Sequence, residues 1–140
     1  MSAPVSSAPV EVGLRLPPLV QHPTLRGLVQ YAGASGDFYE MHYDVPFAND
    51  LGYPDLAVHG LLKMAWLGRL VEEWLEGRGR LVSLETRYKG MDFRDRPCMC
   101  EGEVVLREGR RVEIELWTAD DTGNRTTLGS AEVKLDEGEE

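Results

Sequence analysis

The densest gathering of chemically able side chains is the run Ala34-Ser35-Gly36-Asp37-Phe38-Tyr39-Glu40-Met41-His42-Tyr43-Asp44, in which Asp37 and His42 stand five positions apart. If the residues between them form a tight turn, the carboxylate and the imidazole converge on one water molecule. A water held between an acid and a base can be added to a double bond. Spacing alone leaves a plainer alternative open, in which Asp37 caps a short helix and His42 is a partly buried histidine with its hydrogen bonds met.

A second group, Ala57-Val58-His59-Gly60-Leu61, opens a long apolar segment. Gly60 allows a ligand to approach backbone N–H groups at a helix N-terminus, where the macrodipole stabilises developing negative charge. The carbonyl oxygen of a thioester fits such a place. His59 is read as orienting the start of that helix, and His22, isolated beside Pro23, as a surface or strand-end residue.

These groups need elements to hold them. Residues 19–21 read as a short edge strand, and Pro23-Thr24 as a stop followed by an N-cap whose hydroxyl meets an orphan N–H. Leu25, Leu28, Val29 and Ala32 then recur at helical steps, and Gly33 and Gly36 are expected to end that helix. The stretch 35–53 mixes glycine, acidic and aromatic residues and reads as a structured loop with short helical turns. From His59 to about Leu75 an apolar stripe covers most of a helix, predicting a buried central helix with Lys63, Arg69, Glu72, Glu73 and Glu76 on its less buried side. Beyond Arg80 the period changes to two over 81–88, 99–106, 112–117 and 128–135. Turn residues at 107–110 and 120–124 predict antiparallel pairing of consecutive strands. The fold class implied is α+β, an antiparallel sheet curled around one long helix.

Length, composition and charge narrow the rest. The 140 residues suit one domain, divided here into a Ser-, Ala- and Pro-rich leader over 1–16, a body over 17–136 and an acidic tail over 137–140. The net charge of −9 argues against nucleic acid and anionic lipid as partners, so an anionic thioester needs a local basic patch. Arg87, Lys89, Arg94 and Arg96 are the best such cluster, with Arg87 and Lys89 expected on one strand face; a solvated strand edge accounts for them equally. Cys98 and Cys100, in C-x-C spacing, read as two half-buried strand residues and fit a reducing cytoplasm rather than a disulfide framework or metal site. No basic start with an apolar core of a secretory signal, and no membrane-length apolar run, stands in the sequence. A soluble, cytoplasmic protein is expected.

The string Y-A-G-A-S-G-D-F-Y-E-M-H-Y-D at 31–44, with F-A at 47–48 and H-G-L-L at 59–62, resembles the hydratase signature of the MaoC-like hot-dog proteins. Those are R-specific enoyl-CoA hydratases and 3-hydroxyacyl-thioester dehydratases, and the likeness runs from about Pro17 to Leu135. The resemblance implies a hot-dog fold. It places the family's catalytic aspartate and histidine on Asp37 and His42 and the oxyanion-binding amide at Gly60, beside His59. It implies an R-hydroxyacyl thioester as product, coenzyme A or acyl carrier protein as the thiol, no cofactor, no metal, and a homodimer or higher homo-oligomer, or a heterodimer with a related hot-dog subunit. Tyr39-Glu40 departs from the family's usual Asn-Pro, and a serine found further along the helix in some members has no counterpart near Met64, Ala65 and Trp66.

Phe38, Tyr39, Met41, Phe47, Tyr53 and Leu62 are candidates for an acyl pocket, though each serves equally as core, and Arg87 and Lys89 for the phosphates of the thiol carrier. Two other readings stay open: a thioesterase on the same fold, and a subunit of a heteromeric dehydratase that binds the acyl tail for a partner.

Overall fold

The computed structural model describes residues 8–139. β1 (Leu19–Gln21) leads into α1 (Leu25–Ser35), followed by a 3-10 turn at Glu40–His42 and the short α2 (Val45–Asp50). The long α3 (Gly60–Leu75) then precedes β2 (Gly79–Tyr88), β3 (Cys98–Glu108), β4 (Arg111–Ala119) and β5 (Arg125–Leu135). Thr24 caps α1, its Oγ1 accepting from the Gly27 N–H at 3.1 Å. The helix runs through Gly33, an expected stop, and ends at Gly36, which takes the left-handed conformation at φ 79°. Glycine inside a helix costs only about 1 kcal/mol, whereas the left-handed cap is a conformation other residues rarely take.

The five strands form one antiparallel sheet in the order β1-β3-β4-β5-β2. The hairpins β3–β4 and β4–β5 follow the turn residues, but β2 does not pair with β3. It lies against β5 instead, from Gly79 opposite Leu135 to Tyr88 opposite Thr127. The connection over 89–97 is bound elsewhere: Lys89 N and Gly90 N both reach Thr126 O, and Arg94 N reaches Leu56 O. Register shifts between Leu81 and Ser83 and between Val104 and Leu106 leave Val82 and Val105 exposed. Such bulges bend and twist a strand, and here they help the sheet curl round α3.

Leu67, Leu70, Val71, Trp74 and Leu75 of α3 pack on Cys100, Val104, Val112, Ile114, Leu116 and Val133 of the sheet. A smaller cluster joins Leu28, Ala48, Leu56 and Val58, and Trp66 packs against both. This is the hot-dog arrangement that the resemblance implies. The helix is less enclosed than its apolar stripe predicts: Leu61 and Ala65 are exposed on the face turned away from the sheet. Lys63 corrects the expectation in the opposite sense, being 2% exposed. It stands one helical step before Leu67 on the core-facing side.

The described part of the expected loose leader, 8–16, is packed. Gly13 N and Leu16 N donate to Val104 O and Gly102 O at 2.9 Å each, and Val10 and Leu16 are buried in the core. The alternation of Val10, Leu14 and Leu16 with exposed neighbours is a strand-like pattern that the Ser- and Pro-rich composition hides. The guanidinium of Arg107 ties both ends of the chain, donating to Val10 O at 2.9 Å and to Glu139 O at 2.5 Å. Residues 1–7 and Glu140 lie outside the described residues. Among the described residues no helix is long and apolar enough to cross a membrane. Cys98 and Cys100 are free, and both are buried on β3. A hydrogen bond to Cys100, and then burial, push the Cys98 thiol well above its ordinary pKa.

Candidate active site

The turn between α1 and α2 is set by short-range bonds. Gly36 reverses the chain, Asp37 N donates to Ser35 Oγ at 3.1 Å, and Asp37 Oδ1 accepts from Tyr39 N at 3.3 Å. The 3-10 turn that follows carries His42 inward, where it is 2% exposed. Asp37 Oδ2 then lies 3.6 Å from His42 Nε2. That distance is too long for a direct hydrogen bond and short enough for both groups to hold the same oxygen. The carboxylate is half exposed, so a ligand reaches the pair from its side.

His42 Nδ1 lies 2.7 Å from Ala57 O. A carbonyl accepts only, so Nδ1 carries the proton and a neutral His42 presents a bare lone pair at Nε2 toward Asp37. Beneath it lies His59, 1% exposed, with the two rings stacked at 3.6 Å and 17°. His59 Nε2 donates to Asp37 O at 3.2 Å, and its Nδ1 has no hydrogen-bond partner among the described residues. Burial first, and the neighbouring His42 next, depress the pKa of His59, which keeps its ring neutral. Tyr31 closes the far side edge-on at 4.8 Å. Its phenol is pushed up by burial and then by Tyr88 and Asp37.

Asp37, His42 and His59 each offer a ligand atom within 4.8 Å of the others. His59 Nε2 is spent on the Asp37 carbonyl, so Nδ1 is the ring nitrogen it has left to offer.

Gly60 is the first residue of α3, with His59 as the N-cap residue. A Cβ built at Gly60 would sit 3.1 Å from Cε1 and Cζ of Tyr88. Backbone and ring are thus in close contact, and only glycine fits without displacing the ring. The lead-in to α3 is held by Val58 N donating to Asp92 O at 2.9 Å and Ala57 N to Met41 O at 3.1 Å. Lys63 Nζ reaches Gly90 O at 3.0 Å and Asp92 Oδ2 at 3.1 Å, while Thr126 Oγ1 donates to the same Oδ2 at 2.6 Å. A buried ion pair therefore fastens the 90–92 segment to the first turns of α3.

The structure brings Asp37, His42, His59 and Gly60 into one neighbourhood. Tyr39 is edge-on to His42 at 6.3 Å and to Phe47 at 5.5 Å. Phe38 is 58% exposed beside the pair. Met41, Tyr53 and Leu62 pack into the smaller core cluster. Arg87 and Lys89 are exposed; Lys89 lies just past the end of β2 and so does not share a strand face with Arg87. Arg94 is spent on Asp55 at 3.0 Å, and Arg96 lies over the Phe93 ring. Sequence reasoning missed Tyr88, Asp92 and the burial of Lys63. Their contacts bridge separations such as the 29 positions between Lys63 and Asp92, for which local spacing carries no signal.

The family model described as MaoC like domain matches residues 20–121. The chain belongs to the MaoC-like family. One curated relative, the fatty acid synthase beta subunit hexB of Dothistroma septosporum (strain NZE10 / CBS 128990), is 32% identical over 109 residues, covering 75% of this chain. The chain spans 6% of the length of that protein. Among solved structures, the (R)-hydratase from A. caviae involved in PHA biosynthesis is 25% identical with a TM-score of 0.84, over 91% of this chain and 98% of that one. The ChsH1-ChsH2 complex from Mycobacterium tuberculosis gives 0.83 at 21% identity, over 91% and 99%, and shows the fold.

Proposed function

We propose that this MaoC-like chain is a hydro-lyase that reversibly adds water to a 2-enoyl thioester to give the (3R)-hydroxyacyl thioester. The observation that carries the reading is the bond of His42 Nδ1 to Ala57 O, which turns Nε2 toward Asp37 Oδ2 at 3.6 Å. A water set between them gives one proton to the pair as its oxygen bonds to C3. The electron pair of the double bond moves through C2 onto the thioester oxygen, which the first amides of α3 at Gly60 stabilise. A proton from the pair then passes to C2, leaving the pair as it began. The (R)-hydratase named above supports this direction of chemistry, and the fatty acid synthase subunit supports an acyl thioester as substrate class.

Arg87 and Lys89, exposed at the end of β2, are the proposed contacts for the phosphates of coenzyme A or of a carrier protein's prosthetic arm. Phe38 and Tyr39 are proposed to line the acyl entrance, with Phe47 behind them and Met41, Tyr53 and Leu62 as the packed wall. The domain body is taken to run over 17–136, with 8–16 packed onto it. Phe38 and Leu61, each 58% exposed, give the site an open apolar rim that suits completion by a second hot-dog subunit. The partner is either a copy of this chain or a related chain; the ChsH1-ChsH2 complex is a heteromeric example among proteins of similar fold.

The test follows loss of the enoyl-thioester absorbance with crotonyl-CoA and a longer 2-enoyl-CoA, with chiral analysis of the product. Wild type is expected to form the R-alcohol, and Asp37→Asn and His42→Ala each to lose roughly 10²-fold or more in kcat. Folded wild type that leaves every enoyl chain intact but releases free thiol would replace this reading with a thioesterase.

A further inference from the structure

Tyr88 is the last residue of β2, 46% exposed, and nothing in the acid-base chemistry above uses it. Its position is nevertheless specific. A Cβ at Gly60 would meet Cε1 and Cζ of the ring at 3.1 Å and Cε2 at 3.2 Å. The phenol end of the ring, which bears the hydroxyl, therefore lies against the first residue of α3. Side chains on a helix lean toward its N-terminus, so a ring in contact with the Cβ position of Gly60 stands beside the amides that open the helix. Lys63 flanks the same ring at 5.8 Å.

Among the described residues the hydroxyl is also uncommitted as a donor. Thr86 Oγ1 donates to Tyr88 Oη at 3.2 Å, which leaves the phenolic proton for another acceptor. An oxygen held at the Gly60 amide would be that acceptor.

We propose that Tyr88 is a second oxyanion donor, its O–H joining the backbone amides at the start of α3 on the thioester carbonyl oxygen as that oxygen gains charge. The inference rests on the hydratase reading and names the partner of the backbone amide in it. Phenolic donors belong to the set that stabilises such oxygens, and a donor already fixed in place needs no reorganisation as charge develops. The proton is shared and not transferred, so the phenol returns unchanged after C2 is protonated. The close contact also gives Gly60 a second reason to be glycine, since any Cβ would push the hydroxyl away from the oxygen it serves.

Tyr88→Phe keeps the ring on Gly60 and removes only the O–H. Its kcat for crotonyl-CoA hydration is expected to fall about 10²-fold, with KM and the melting temperature close to wild type. A second readout does not depend on turnover: the carbonyl stretch of crotonyl-CoA labelled with ¹³C at C1, bound to Asp37→Asn protein. Binding should move the band to lower frequency, and adding Tyr88→Phe should return part of that shift. Wild-type kcat in Tyr88→Phe, while Asp37→Asn is inactive, overturns the role of Tyr88 and leaves the hydratase reading standing. An unchanged carbonyl band in the double variant overturns it likewise. Wild type inert on all enoyl thioesters removes the hydratase reading and this inference with it.

Discussion

At the residue scale the site is governed by which proton sits on which ring nitrogen. Ala57 O fixes the proton of His42 on Nδ1, and Asp37 O fixes that of His59 on Nε2. One imidazole is thereby free to exchange protons while its stacked neighbour holds the aspartate's backbone. The depressed pKa of His59 serves this division, because a second cation stacked on His42 would oppose protonation of the base. The linkage has a definite sign. Below the unfolded imidazole pKa of about 6.5 the unfolded chain binds a proton at this position that the native chain refuses, so stability falls as pH drops. Above that value the contribution is complete. His59→Phe keeps a stacked ring and cannot take up the proton. Urea midpoints measured between about pH 5 and 8 should therefore fall less steeply on the acid side in this variant than in wild type. An unchanged slope would mean that His59 protonates in the fold. The spacing of Asp37 and His42 was legible in the sequence, and the resemblance gave it meaning. The support from His59 was not, because it crosses 22 positions to a backbone carbonyl whose direction only the turn at Gly36 decides.

Elements carry the next level of control. The segment 57–60, which holds both the Ala57 carbonyl and the start of α3, is fastened to 90–92 by Val58 N on Asp92 O, and 90–92 is fastened to α3 by the Lys63–Asp92 ion pair. Removing one member of a buried pair leaves the other charged and unpaired, at a cost of about 3–5 kcal/mol, whereas replacing both with apolar residues is often neutral. Lys63→Met alone should lose stability on that scale in urea denaturation, and Lys63→Met with Asp92→Leu should recover much of it. Additive losses would show that the ammonium and carboxylate do not depend on each other. The apolar periodicity of α3 was readable because Leu67, Leu70, Val71 and Trp74 recur on one face. The burial of Lys63 on that same face was not, since a lysine defaults to solvent unless an acidic partner is delivered from elsewhere in the fold. The strands were likewise legible as strands, but no local pattern shows that β2 takes its place beside β5.

For the whole molecule that place matters most. β2 runs for 10 residues at the end of the sheet and, among the described residues, pairs on one side only, with β5. A long strand with an unpaired row of backbone groups invites another strand, and proteins without a partner for it usually shorten, kink or charge such an edge. Here the bulge at Val82 is the main interruption, and Leu84, next inward, packs on the core. The net charge of −9 opposes indiscriminate association, so a partner has to offer matching backbone groups and apolar surface rather than charge alone. A second copy meets that requirement by two-fold symmetry, edge to edge, and it would bring another Tyr88 and another Gly60 near the seam. Amide exchange distinguishes the states. In a monomer the outward N–H groups of β2 should exchange as fast as a frayed edge; in a dimer they should be as protected as those of β4 and become labile on dilution. Protection that persists unchanged across dilution, in a species with the sedimentation behaviour of a single chain, would show that the edge is satisfied from within and that the site is complete in one copy.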